Sequence, residues 1–305
     1  MRLCTFTLRG EDASARRVGA VDGSTVFELG SRRDMLTLLA SGESIARLKT
    51  SGNGYDASRV RYWAPVPRPG KILATIVNTQ AMLGGDDVRL DRPRIDMKAP
   101  STVVGDGETV VASPSGVRPE VELAAIIGTR LCAATEKEAQ AAIAGYTVLN
   151  DVTAPADSRD DAYEAYRRDR STGAIKKSVM RGPLFRSKNH DTFCPMGPWM
   201  VTADEAEVSD ARMGTWFDGF KVQAGSTSEY LFGPAKIASY LSGFLTLEPG
   251  DVVSCGSVGW TKEALGELDP TEYTLPKRGG SLKLEIEGIG TIVNPVSYQG
   301  RPPTV

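Results

Sequence analysis

The chain has 305 residues, with 36 Lys and Arg against 38 Asp and Glu, a formal net charge of −2. That balance excludes a broad cationic footprint for nucleic acid or for an anionic membrane surface. With 41% hydrophobic and 24% charged residues the composition is that of a globular chain rather than a disordered one, and no apolar run approaches the ~18 residues of a membrane-spanning helix.

In chain order, Arg2–Leu8 reads as a strand. Val18–Val21 and Thr25–Leu29 read as a hairpin, because Asp22-Gly23 supplies the positive-φ turn between two apolar runs. Asp34–Lys49 carries Met35, Leu36, Leu38, Leu39, Ile45 and Leu48 at helical spacing, interrupted at Ser41-Gly42. Arg61–Val66 returns to a strand, and Pro67-Arg68-Pro69-Gly70 is a natural linker. Residues 1–66 are thus expected to form a small α+β module, and 67–305 a larger core.

The core is rich in short strands: Ile72–Val77, Thr102–Val104, Thr109–Val111, Glu120–Ile127, Tyr146–Val152, Trp199–Thr202, Gly214–Phe217, Val252–Cys255, Ser281–Ile286 and Thr291–Pro295. Helices are expected at Lys137–Ala144, at Pro234–Gly243 and over the charged stretch Asp160–Arg170. The fold class is mixed α/β, mostly β.

The four cysteines, Cys4, Cys132, Cys194 and Cys255, form no CxxC, zinc knuckle or disulfide framework, and read as reduced thiols of a cytoplasmic protein. No secretory leader is visible at the N-terminus. The single histidine, His190, excludes any mechanism that needs two.

The sharpest chemical feature is Glu120-Val121-Glu122-Leu123 at the start of an apolar strand. Side chains two apart on a strand share a face, so the two carboxylates stand together while Val121 and Leu123 point the other way. Such a pair repels unless a cation or a proton joins it, and oxygen donors suit Mg²⁺, Ca²⁺ or Mn²⁺ better than zinc. A solvent-facing strand edge gives the same alternation. Asp151, at the end of the Tyr146–Val152 strand, offers a third carboxylate, although Asn-Asp there also fits a turn or cap. Lys188, in Ser187-Lys188-Asn189-His190, is a cation able to face developing negative charge.

Taken in order, KIL…N, Lys98-Ala99-Pro100-Ser101, EVELAAIIG, GYTVLNDVT, SKNHDTFCPMGPW, DGFKVQAGSTSEYLF, LTLEPGDVV and CGS resemble the fumarylacetoacetate hydrolase family, from Gly70 to about Pro295. The resemblance implies a β-sandwich roll, commonly homodimeric. It implies that Glu120, Glu122 and Asp151 hold a divalent ion, Mg²⁺ by preference with Mn²⁺ or Ca²⁺ as alternatives, and that Lys188 is the active-site lysine. It further implies that Gln223 and Ser257 position a small oxo-acid substrate.

The chain departs from the family pattern in two places. Met82 and Gly85 stand where a histidine and a glutamate usually activate water, and neither can do so. Pro155 stands where an arginine usually meets substrate. The following segment 155–186 is long, rich in Arg and Lys, and expected to be a lid, with Arg159 among its substrate-binding cations. His190, two residues from Lys188, is a second catalytic candidate. The expected function is therefore decarboxylation, tautomerisation or dehydration of a 2-oxo or β-dicarbonyl acid through a metal-stabilised enolate. The alternatives are an acylpyruvate-type C–C hydrolase with a different water activator, and a metal-binding protein without turnover.

Overall fold

The computed structural model describes residues 1–30, 34–43, 45, 48, 50, 52–85 and 87–298. The N-terminal part runs β1 (Arg2–Leu8), β2 (Arg17–Asp22), β3 (Thr25–Glu28), α1 (Met35–Ala40), β4 (Gly54–Asp56) and β5 (Val60–Trp63). There follow β6 (Ile72–Thr75), α2 (Gln80–Leu83), β7 (Ile95–Lys98), β8 (Val103–Val104), β9 (Val110–Val111), β10 (Val121–Ile127), α3 (Glu136–Ala142) and β11 (Ile143–Asn150). The next stretch holds α4 (Pro155–Asp160), β12 (Tyr163–Arg168), β13 (Ile175–Met180), α5 (Phe185–Lys188) and β14 (Cys194–Thr202). The chain closes with β15 (Arg212–Phe217), β16 (Phe220–Ser226), α6 (Pro234–Ser242), β17 (Val252–Ser257), α7 (Lys262–Leu265), β18 (Gly280–Ile286) and β19 (Gly290–Ser297).

Two sheets carry the fold. The larger has the order β4-β3-β2-β1-β14-β11-β10-β17-β6-β7, with β5 also on β1 and β8 also on β14. The smaller runs β16-β15-β18-β19-β9. The fold is mixed α/β and mostly β. Period-two alternation along β10 explains the layering. Val121, Leu123, Ala125 and Ile127 face a core shared with Met213, Leu284 and Ile292 of the smaller sheet. Ala124 and Ile126 face the opposite layer, with Leu149, Met196 and the α1 residues Met35 and Leu38. Glu122 has the parity of this second face and is buried near the start of the strand.

The N-terminal strands extend the same sheet. β1 pairs with β14 through Arg2↔Val201 and Leu3↔Met200, and its apolar residues share a core cluster with the central strands. α1 ends at Ala40, before Gly42 with φ +70°; the rest of the expected helix to Lys49 lies partly outside the described residues.

The charged stretch Asp160–Arg170 is not the expected helix. After Ala162 it becomes the first strand of a hairpin, with Tyr163↔Met180 through Arg168↔Ile175 in register. The reversal explains this. The Asp169 carboxylate accepts from the backbone N–H groups of Ser171 and Thr172, and Gly173 takes φ +69°, a turn signature that outweighs the helical pattern of charges. Strands Ile95–Lys98 and Phe220–Ser226 were also not expected from the sequence.

Candidate functional site

Backbone pairing beyond the ends of β10 and β11 builds the site. Asp151 N–H donates to Glu120 O at 2.9 Å, and Arg118 N–H donates to Thr153 O at 2.8 Å, with Thr153 N–H returning to Arg118 O at 3.1 Å. The Asn150 side-chain oxygen accepts from Glu120 N–H at 3.0 Å. This zipper sets Asp151 across from Glu120, and period two sets Glu122 beside it. Glu120, Glu122 and Asp151 are all buried, and each offers a carboxylate oxygen within 4.8 Å of those of the other two.

Among the described residues, three cations meet two of these carboxylates, Glu120 and Asp151. Lys188 Nζ, at the end of α5, lies 3.0 Å from Glu120 Oε2 and also binds Asp151 Oδ2. Lys98 Nζ, fully buried at the end of β7, donates to Asp151 Oδ1 at 2.6 Å and to the Lys188 carbonyl at 2.6 Å. Arg118 Nη2 lies 2.9 Å from Glu120 Oε1. Thr153 Oγ1 donates to Glu120 Oε2 at 3.1 Å and lies 3.1 Å from Lys188 Nζ. Glu122 instead accepts from Ser254 Oγ and from Gly256 N–H, the latter at 3.2 Å. Gly256 has φ +91°, and a Cβ there would stand 2.7 Å from Asn78 Cβ, so only glycine presents its N–H this way.

The environments pull the acids apart. Burial tends to raise the Asp151 carboxyl, but Lys188 and Lys98 outweigh it and hold the group down at about 2. Burial pushes Glu122 well above the usual carboxylate range, and the neighbouring Asp151 and Glu120 push it further. Burial opposes the Lys188 ammonium, yet Asp151 and Glu120 overcome that and raise it. A cluster of this kind, all oxygen donors with one acid resisting ionisation, fits a hard divalent cation.

The other expected site residues are placed as follows. Gln223 is fully buried and its amide is saturated. Its oxygen accepts from Val121 N–H at 3.1 Å and Thr215 Oγ1 at 2.9 Å, and its NH₂ donates to Ser257 Oγ and the Val258 carbonyl, each at 3.0 Å. Ser257 Oγ donates onward to Val121 O at 3.0 Å. Together they brace the start of β10, and neither has a donor left over for a ligand in this geometry. His190 is not brought to the carboxylates: its Nε2 lies 2.6 Å from Asp157 Oδ2 and its ring packs on Phe193 at 4.8 Å. Arg159 pairs with Glu272 at 2.7 Å and lines a cavity of about 460 Å³. Thr153, Arg118, Pro155 and Ser187 line the same cavity, so it opens directly beside Glu120.

Sequence reasoning assigned no role to Lys98, Arg118, Thr153 or Asp157. Lys98 and Thr153 lie in the quoted motifs, but residue type alone does not say that either one meets a carboxylate.

A family model for the fumarylacetoacetate (FAA) hydrolase C-terminal domain matches residues 74–297. A 2,4-didehydro-3-deoxy-L-rhamnonate hydrolase of Sphingomonas sp. (strain SKA58) is 30% identical over 95% of this chain and 94% of its own length. A mitochondrial oxaloacetate tautomerase of Bos taurus is 31% identical over 91% of this chain and 84% of its own. Among solved structures, a fumarylacetoacetate hydrolase from Exiguobacterium antarcticum aligns with a TM-score of 0.78 at 25% identity, covering 98% of this chain and 100% of that one.

Proposed function

This chain belongs to the fumarylacetoacetate hydrolase family of enzymes, and from that premise we propose that it converts a 2-oxo or β-dicarbonyl acid by tautomerisation, decarboxylation or dehydration, without an activated water. The observation that carries the reading is the buried Glu120–Glu122–Asp151 cluster with Lys188 on it and a cavity beside it. The three carboxylates would hold the divalent ion, Mg²⁺ by preference, with Mn²⁺ or Ca²⁺ as substitutes. An ion held by these residues would supply Lewis acidity toward the substrate oxygens, making the carbon beside the carbonyl more acidic.

This chain's own groups do the rest. Asp151 stays ionised because Lys98 and Lys188 face it. Lys188 Nζ holds a proton next to the cluster, where negative charge builds on the substrate and where carbon must be reprotonated. The Ser254 hydroxyl and the Gly256 N–H orient Glu122. Gln223 and Ser257 serve by bracing β10, and His190 by fixing Asp157. The 155–186 segment, with Arg159, covers the cavity as a lid. The reading includes a homodimer working in a reducing compartment, the cytoplasm, in keeping with the free thiols Cys4, Cys132, Cys194 and Cys255.

C–C bond hydrolysis stays as the second reading, because the Sphingomonas relative is named a hydrolase. The test is metal analysis followed by turnover with oxaloacetate and with an acylpyruvate. The expected result is about one Mn²⁺ or Mg²⁺ per chain, lost in Glu120→Ala, with keto–enol conversion or decarboxylation and no acylpyruvate cleavage. Equal metal content in Glu120→Ala removes the ligand assignment; brisk acylpyruvate cleavage by the wild type moves hydrolysis to first place.

A further inference from the structure

Pro155 stands at the first turn of α4 and cannot hold an anion, yet three arginines surround the cavity that it lines. Arg118, Arg159 and Arg181 face that space together with one acid, Glu272, which Arg159 already neutralises at 2.7 Å. No ion pair engages Arg181 among the described residues. The cavity wall is therefore cationic in a chain whose net charge is −2.

Arg118 differs from the other two. Its side chain is only 17% exposed, whereas that of Arg159 is 56% exposed. Its guanidinium has five N–H donors in a fixed fork. One nitrogen bonds Glu120 at 2.9 Å, a second reaches the Thr271 carbonyl at a long 3.4 Å, and Nε is buried with no partner among the described residues. A buried donor without an acceptor is unfavourable unless one arrives. The fork is held at the boundary between the carboxylate cluster and the cavity, with donors to spare.

We propose that Arg118 is the specificity-determining residue of this site: its guanidinium binds a second anionic group of the substrate, at the end away from the oxo acid, in the cavity that it lines beside Thr153 and Glu120. Arg181, which lines the same cavity, adds charge. The assignment rests on the reading of the carboxylate cluster as an oxo-acid site. The substrate is then an oxo acid carrying a carboxylate or comparable anion a few bonds from its carbonyl, and an uncharged tail of the same length is a poor fit. The bond to Glu120 makes Arg118 sensitive to both ends of the ligand, because the same group touches a metal-site carboxylate and the distal anion.

The probes are 2-oxoglutarate and 2-oxopentanoate, which share a five-carbon 2-oxo-acid chain and differ by the distal carboxylate. Calorimetry on the Mn²⁺-loaded full chain measures both. The wild type is expected to bind 2-oxoglutarate about tenfold or more tightly than 2-oxopentanoate, the scale of a charge-assisted fork to carboxylate. In Arg118→Gln that preference collapses to about unity, the two acids binding alike at whatever common affinity the loss of the bond to Glu120 leaves, with Mn²⁺ content measured alongside. A wild type without the preference, or a glutamine variant that keeps it, overturns the assignment. If neither acid binds the metal-loaded wild type, the oxo-acid reading itself fails and takes the assignment with it, a result distinct from binding without preference. Should Arg118→Gln lose its metal, Arg118→Lys keeps the charge toward Glu120 without the fork: a reduced preference at constant 2-oxopentanoate affinity supports the assignment, and an undiminished one overturns it.

Discussion

Burial, reinforced by Asp151 and Glu120, makes Glu122 hard to ionise, and that has a consequence for metal binding. A carboxylate must shed its proton to become a ligand, so metal uptake displaces the proton that Glu122 retains. Its folded value lies above the usual 4.5, so in chelated protein Glu122 subtracts stability as pH rises through its unfolded value and above. Asp151 has the opposite sign: its contribution is present above 3.8 and is lost as pH falls toward about 2. The expected outcome is an apparent Mn²⁺ affinity that climbs as pH rises above the usual 4.5 of a glutamate, by up to tenfold per unit while one proton leaves. Calorimetry in buffers of different ionisation enthalpy counts that proton, and a flat profile would show Glu122 already ionised. The ExE pair was legible because period two is local. Lys98 was not, since its acceptors Asp151 and the Lys188 carbonyl lie 53 and 90 residues away. Gln223 was legible as a residue but not as a brace, because its partner Val121 is 102 positions off. The lost dyad offers a second residue-scale test. Gly85 has no positive φ, and a Cβ there would meet Asp87 Oδ1 at 3.1 Å and Val88 at 3.6 Å, so a side chain can be accommodated. Met82→His with Gly85→Glu is expected to raise acylpyruvate hydrolysis measurably, within the ~10²–10⁴-fold range of general-base catalysis. A folded, metal-loaded double variant with no gain would point to the reshaped pocket around Pro155 rather than to the missing base.

At the scale of elements, the β12–β13 hairpin is the least supported piece of the fold. It forms its own two-stranded sheet, and exposures of 72% at Val179 on one face and 51% at Tyr163 on the other show that its faces are uncovered. An isolated ribbon of this size is marginal in water. The charges of DDAYEAYRRDR suggested a helix, and the misreading is instructive. Helical charge spacing is a weak preference, whereas a carboxylate closing a turn before a glycine at positive φ fixes a reversal. Gly173→Val puts a β-branched residue at φ +69°, which costs about 1–2 kcal/mol. Trypsin cleavage at Arg167, Arg168, Lys176 and Lys177 should then rise roughly tenfold, because cleavage follows the open population. The melting temperature should hardly move, since neither strand belongs to the two main sheets. The lid reading adds that a 2-oxo acid with Mg²⁺ slows the same cleavage in the wild type. Unchanged nicking with ligand would leave the segment a surface ribbon only.

Across the whole molecule, the first 66 residues read as a small module ahead of a proline-glycine linker, and linker composition says nothing about which strand edge the preceding segment covers. β1 lies between β2 and β14 and also pairs with β5. Leu3, Val18, Leu29, Met35, Leu38 and Leu39 share one apolar cluster with Ile72, Ile126, Met196, Met200 and Val252. At roughly 2 kcal/mol for each large apolar side chain fully buried, those six N-terminal residues contribute about 12 kcal/mol, and their removal exposes apolar surface on the facing strands. A whole domain is stable by only about 5–15 kcal/mol. The shared layer also reaches the chemistry: β14 is bonded to β11, which ends at Asn150, and Asp151 follows it directly. Two outcomes follow together. Calorimetry of the intact chain should give one cooperative transition, with equal calorimetric and van't Hoff enthalpies. A chain starting at Pro67 should fail to yield soluble, metal-binding protein, because it leaves β14 as an uncovered hydrophobic edge. A soluble truncation that still binds Mn²⁺ with native affinity would show that the linker separates two independent folding units after all, and that the carboxylate cluster needs only the strands from β6 onward.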